Sequence, residues 1–171
     1  MNATTMQTYT GKLVDLANFT EEDVRLPDIA HALALINRFT GHTVSPYTVA
    51  QHSVVVSQLV DACDAMHALL HDASEAYLGD ISTPLKSLLP DYVQLEAHVQ
   101  RTILRKFGLS WPIPPAVKVA DTRALLHEKS KLMAVQHDWG ISAEPVCASI
   151  VLRDWKEAEE LFSKRYKELA R

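Results

Sequence analysis

Cysteine is nearly absent: Cys63 and Cys147 are the only two among 171 residues. They stand at no metal-type spacing and suggest no disulfide framework, so neither a thiolate zinc site nor a stapled secreted scaffold is expected. Long hydrophobic runs are missing too, and the longest fall far short of the ~20 apolar residues that a membrane-spanning helix needs. The segment Met1–Gln7 has no basic stretch followed by an apolar one, so no secretory signal peptide is expected. Nor is positive charge in excess: 17 Lys and Arg against 21 Asp and Glu give a net charge of −4 with histidines neutral. That balance argues against a nucleic-acid polymer as partner, because such binding rests on cations neutralising many phosphates. A small phosphorylated substrate needs only one or two local cations and stays compatible with it. Linkers, repeats and low-complexity stretches are also absent. A cytoplasmic protein with a single domain over residues 1–171 is the expectation.

What is there is ordinary globular material, 47% apolar and 22% charged, on a chain long enough to bury about two-thirds of its unfolded surface. Residues 9–19 alternate weakly and predict a short strand or extended arm. From Asp28 onward the apolar spacing is helical. Pro27-Asp28 opens a helix with Ile29, Leu33 and Ile36 on one stripe, ending near Arg38-Phe39 before Gly41. Ser45-Pro46 is a start signal for a second helix, carrying His52 and running to about Ala62. A third covers about 64–77, and Gly79-Asp80 breaks it. Pro84 and Pro90 bound a short polar connection. An amphipathic helix follows over 91–107, then a helix over about 116–136 carrying Asp121, and after a loop around Gly140 and Pro145 a last helix over about 151–170. The chain therefore reads as an all-α bundle of six or seven helices.

The most informative stretch is His71-Asp72-Ala73-Ser74-Glu75, which follows the mostly apolar segment 64–70. An imidazole and a carboxylate side by side can serve one metal ion, and Glu75 lies a helical turn beyond His71. Buried charges are costly unless paired or bound to metal. A lone helical histidine such as His52 is more often a core or surface residue, and Asp121 alone could be a surface carboxylate. Chance explains their combination less well. His52, His71-Asp72 and Asp121 stand on three separate expected helices, in the order His, His-Asp, Asp. Helices packed side by side can aim such residues into one pocket. Two imidazoles and two carboxylates suit Mn2+, Fe2+, Co2+, Ni2+ or Zn2+ better than Ca2+.

In that order and spacing the chain resembles the HD-domain metal-dependent phosphohydrolases. Arg38-Phe39, Ala50-Gln51-His52-Ser53 and the run from His71 to Lys86 resemble the bacterial 5′-deoxynucleotidase branch. The compact length and the short stretch between Asp72 and Asp121 look more like the phage dATP triphosphohydrolases. The motifs span roughly residues 28–125. The resemblance implies a compact HD-domain helical bundle that holds a divalent ion (Co2+, Mn2+, Zn2+, Fe2+, Ni2+ or Mg2+) on His52, His71, Asp72 and Asp121. It implies that Glu75, with Asp72, handles the attacking water, and that Arg38 and Lys86 meet the phosphates. Asp80 would accept a hydrogen bond from the sugar 3′-hydroxyl. Phe39 stands where the family commonly has Trp; it can stack on a base or sugar but has no indole N–H to donate.

The activity so implied is attack of water at the α-phosphorus of a deoxynucleotide, with dATP first and deoxyadenosine and triphosphate as products. Action on dADP, dAMP or other deoxynucleoside monophosphates is the nearest alternative. A homo-oligomer in the cytoplasm, the host's if the gene is a phage's, is the implied setting. Two rivals from other classes stand beside this reading: an HD-type di-iron oxygenase, which needs two further ligands, and a catalytically silent nucleotide-binding HD module. His31, His67, His98, His127 and His137 have no partner in the pattern, and His42 and Tyr47 are candidates only for the mouth of the site.

Overall fold

Eight α-helices, two short 3-10 turns and one two-stranded sheet form among residues 2–144, 146 and 150–171, the residues that the computed structural model describes. Met1, Pro145 and Cys147, named above, lie outside them; Cys63 is exposed with a free thiol. The N-terminal arm folds back as β1 (Thr5–Gln7) against β2 (Leu13–Asp15), antiparallel with Met6 opposite Val14. A 3-10 turn over Leu16–Asn18 follows, capped by the Asp15 carboxylate. The extended stretch expected over 9–19 is therefore shorter and pairs with residues that the sequence pattern did not mark.

Helix α1 (Leu26–Leu35) stops earlier than expected, because Ile36 is already extended and Asn37 pairs across to Thr48. Arg38 lies in a 3-10 turn, Arg38–Gly41, in which Phe39 and Thr40 hold left-handed φ of 55° and 53°. Helix α2 (Val49–Gln58) begins three residues after the Ser45-Pro46 signal. The Thr48 hydroxyl accepts from the Gln51 N–H while the Gln51 side chain accepts from the Thr48 N–H, a reciprocal cap that outcompetes the earlier start.

The expected helix over 64–77 is two helices, α3 (Ala65–Leu69) and α4 (Glu75–Leu78). A residue thirty positions away causes the break. Buried Gln100 donates its amide to the Leu70 carbonyl at 2.7 Å and accepts from the Ser74 N–H at 2.9 Å. One side chain thus satisfies two backbone groups that a continuous helix would have paired with its own ladder. The polar connection bounded by prolines holds a further short helix, α5 (Thr83–Lys86). Helix α6 (Pro90–Lys106) ends where Gly108, at φ 71°, lets Leu109 N–H reach the Leu104 carbonyl and Gly108 N–H the Arg105 carbonyl, a glycine-dependent stop. Helices α7 (Pro115–Leu132) and α8 (Trp155–Leu169) complete the set.

Fully buried Ile29, Leu33, Leu69, Leu70, Ile103 and Phe162 tie α1, α3, α6 and α8 into one apolar cluster. A smaller one, with Val56, Ala68, Val117, Ala120 and Ala124, seats α7 against α2 and α3. Alanines at 120 and 124 allow close approach, so the face of α7 that carries Asp121 is brought to His52 on α2. Among the described residues no helix is long and apolar enough to cross a membrane.

Candidate metal centre

His52 is fully buried on α2 because the helix faces inward along Val49, Ser53 and Val56. His71 and Asp72 occupy the turn between α3 and α4 that Gln100 pins. Asp121 projects from α7. These elements bring together His52 Nε2 and His71 Nε2 at 3.3 Å, with Asp72 Oδ2 3.6 Å from the first and 3.1 Å from the second. Ligand atoms of His52, His71 and Asp72 all lie within 4.8 Å of one another. Asp121 Oδ1 is 3.2 Å from His52 Nε2 and 3.9 Å from His71 Nε2.

The far sides of the two rings decide what the near sides can do. His71 Nδ1 is 2.7 Å from the Ala68 carbonyl oxygen, which can only accept, so Nδ1 carries the proton. His52 Nδ1 is 2.7 Å from Glu128 Oε1. With both Nδ1 atoms donating outward, two neutral rings turn two Nε2 lone pairs toward two carboxylates. Such convergence of lone pairs and negative charge is balanced by a cation in their midst, or by protonating a ring. Burial and Arg38 oppose a charge on His52, but Glu128 and Asp121 outweigh them and push it up to about 9. Burial likewise opposes charge on Asp72 and Asp121, yet His71 and His52 hold both below the usual carboxylate range. Two imidazole nitrogens and two carboxylates fit a divalent ion of the borderline or hard class.

Glu75 opens α4 and is buried. Burial, reinforced by Asp72 and Asp80, pushes its carboxyl well above the ordinary value, with Arg38 and Lys86 opposing. Its Oε2 has no hydrogen-bond partner among the described residues. Arg38 enters from the strained turn, its backbone N–H held by the Tyr47 carbonyl at 2.9 Å. Its Nε donates to Glu128 Oε2 at 2.9 Å, and Nη1 lies 3.6 Å from Asp72 Oδ2.

Lys86 is not free: its Nζ donates to Glu96 Oε1 on α6 at 2.6 Å. Asp80 follows α4 and is half-buried, and burial, with Asp72, raises its carboxyl while Arg38 and Lys86 oppose. Phe39 lies beneath the Arg38 guanidinium, whose carbon is 5.5 Å from its ring centroid, and meets Trp139, ring centroids 6.2 Å apart and tilted by 52°. Trp139 is 40% exposed and carries the indole that Phe39 lacks. His31, His67 and His98 are engaged elsewhere, with Glu159 and the carbonyls of Ser110 and Phe19. Two open grooves of about 450 and 510 Å³, beside β1 and α1 and along α8, hold none of the site residues.

Glu128 is the residue that sequence reasoning missed. It lies two turns beyond Asp121 on α7, hence on the same face, and that i,i+7 relation to a candidate ligand was the available signal. Lys118, whose Nζ donates to Asp121 Oδ2 at 2.8 Å, is a second.

No protein-family model matches the chain. Over 127 residues it is 42% identical to the uncharacterized protein YfdR of Escherichia coli, covering 74% of this chain and 71% of that one. An uncharacterized protein of Rhodobacter capsulatus is 37% identical over 126 residues, 66% of this chain and 64% of its own length. A 5′-deoxynucleotidase of Vibrio cholerae is 32% identical over 92 residues, 51% of this chain and 40% of the enzyme.

Proposed function

The chain belongs to the same family as the uncharacterized YfdR of Escherichia coli, and from that premise we propose that it is an HD-type, metal-dependent phosphohydrolase of deoxynucleotides. The observation that carries the reading is the convergence of His52 Nε2, His71 Nε2, Asp72 and Asp121, with both Nδ1 atoms engaged elsewhere and Arg38 at hand. Residues 1–171 act as one domain in this reading.

His52, His71, Asp72 and Asp121 would hold the ion, which when bound lowers the pKa of water and polarises a phosphoryl oxygen. Arg38 presents a guanidinium, held by Glu128, to the substrate's phosphate oxygens as charge builds there. Glu75 accepts the proton of the attacking water at its unpartnered oxygen. A carboxyl raised by burial is better matched to that transfer near neutral pH than an ordinary one. Attack at the α-phosphorus breaks the bond to the 5′-oxygen and releases the deoxynucleoside. Lys86 would add positive charge from the rim, tempered by Glu96, and Asp80 would accept from a sugar hydroxyl. Phe39 and Trp139 offer the base an aromatic mouth.

Two substrates divide the reading. The resemblance to the phage dATP triphosphohydrolases implies dATP, with triphosphate as the leaving product, and the 5′-deoxynucleotidase relative favours a monophosphate. A panel of deoxynucleoside mono-, di- and triphosphates with Co2+ or Mn2+, resolving nucleoside, phosphate and triphosphate, decides between them. Nucleoside release from at least one member is expected. No turnover of any nucleotide with any divalent ion of the set sinks the proposal.

A further inference from the structure

Glu128 is 1% exposed, among the most deeply buried carboxylates that the structure describes, and each of its oxygens is taken by a different donor. Oε1 faces His52 Nδ1 at 2.7 Å and Oε2 faces Arg38 Nε at 2.9 Å. Clasped between a guanidinium and an imidazole, the carboxylate accepts at both oxygens. The Nε–H of arginine is an obligate donor. Arg38 Nε–H and His52 Nδ1 each meet one oxygen, with the Tyr47 hydroxyl beside the carboxylate as a further donor, and His52 then carries its proton on Nδ1. Its Nε2 lone pair is then left for the space shared with His71 and Asp121.

We propose that Glu128 is a positioning residue that fixes His52 as an Nε2 ligand and, through its other oxygen, aims Arg38. One carboxylate so registers the ion and the phosphate-binding cation against each other. The inference rests on the proposed metal-dependent reading and adds a residue to it.

The geometry makes an unusual demand on Glu128→Gln, which changes one oxygen to an amide nitrogen at equal size. Only one acceptor remains, and Arg38 can do nothing but donate to it. The amide N–H is then turned to His52 Nδ1, which must give up its proton, so the proton moves to Nε2 and the lone pair leaves the cluster. Glu128→Ala removes the constraint without reversing it, and His52 stays free to present Nε2. A role in packing alone would rank the two variants the other way, because Gln fills the space and Ala does not.

Co2+ affinity measured by calorimetry, with the visible absorption of bound Co2+ and far-UV circular dichroism as the check on folding, tests the ranking. Glu128→Gln is expected to weaken Co2+ binding by about 10–100-fold, at least as much as Glu128→Ala, and to alter the Co2+ spectrum. Wild-type affinity in Glu128→Gln, or a larger loss in Glu128→Ala than in Glu128→Gln, overturns the proposal. Should either variant fail to fold, nitrogen NMR of the Zn2+-loaded wild-type protein replaces the ranking. His52 coordinated through Nε2 with a proton on Nδ1 is expected there, and coordination through Nδ1 overturns the proposal. A wild-type protein that binds Co2+ but turns over no nucleotide defeats the proposed activity while leaving this inference standing. A wild-type protein that binds neither Co2+ nor Zn2+ defeats both.

Discussion

Arg38→Met removes a buried charge while keeping an unbranched apolar stem. Arg38 Nε lies 2.9 Å from Glu128 Oε2 and Nη1 lies 3.6 Å from Asp72 Oδ2. At an effective dielectric of about 20 those separations correspond to about 6 and about 5 kcal/mol of attraction before desolvation is subtracted. Desolvating a guanidinium that is 9% exposed cancels much of that gain. The single variant is costly for a different reason: Glu128 stays buried with no guanidinium beside it. Breaking a buried pair from one side costs about 3–5 kcal/mol, which for a chain of this size lowers Tm by roughly 6–20 °C. Adding Glu128→Leu should restore much of the loss, because both charges are then gone. The recovery is incomplete, since His52 Nδ1–H has lost its acceptor, a deficit of about 1–3 kcal/mol. Urea unfolding of the wild type, both single variants and the double variant, all in chelator so that metal binding adds nothing, gives the coupling energy. An Arg38→Met loss under about 1 kcal/mol, or strictly additive single variants, would refute the reasoning.

Three more expectations bear on separate parts of the molecule. Glu75→Gln should lower kcat on the best nucleotide of the panel by about 10²–10⁴-fold while Co2+ affinity, read by calorimetry, holds; unchanged turnover removes Glu75 from the chemistry. Tyr77 is buried, accepts from Arg25 N–H at 3.3 Å, and burial pushes its phenol up to about 12. A phenol raised above its unfolded value of about 10 favours the fold below that pH and loses the benefit as pH climbs through 12, about 2–3 kcal/mol in all. Urea midpoints at pH 8.5 and 11.5 should therefore fall less in Tyr77→Phe than in wild type, and equal falls would contradict the assignment. Thr48→Ala removes the reciprocal cap of α2 and should cost about 1 kcal/mol, seen as a Tm drop of about 2–4 °C; a variant as stable as wild type would mean that the Gln51 half of the cap suffices.

The helical character and the His52, His71, Asp72, Asp121 series were legible because ligand-capable residues in a fixed order survive any error in helix ends. Helix ends themselves were less so. Ser45-Pro46 was the stronger local start signal, yet Thr48 won because its hydroxyl and Gln51 satisfy each other. The break at Leu70–Ser74 was invisible in principle, since the amide that sustains it belongs to Gln100. Glu128 was hidden for the opposite reason. A glutamate among Lys129, Lys131 and His127 looks solvated, and only the packing of Ala120 and Ala124 against α2 turns that face inward. Phe39 shows a third limit. It and Thr40 hold left-handed backbone at two successive non-glycine residues, a conformation of about 1–3 kcal/mol that sequence preferences disfavour.

The Gln100 clamp has a consequence for how the His71-Asp72 turn breathes. A four- or five-residue turn joining two short helices would normally open on its own, exchanging its amides at a small fraction of the global unfolding free energy. Here the Ser74 amide is bonded to a side chain rooted midway along the seventeen-residue α6. Opening the turn means withdrawing Gln100 and, with it, Val99 and Ile103 from the apolar cluster. The Ser74 amide should consequently exchange with solvent as slowly as the core does, and the two ligand-capable side chains between α3 and α4 share the lifetime of the whole fold.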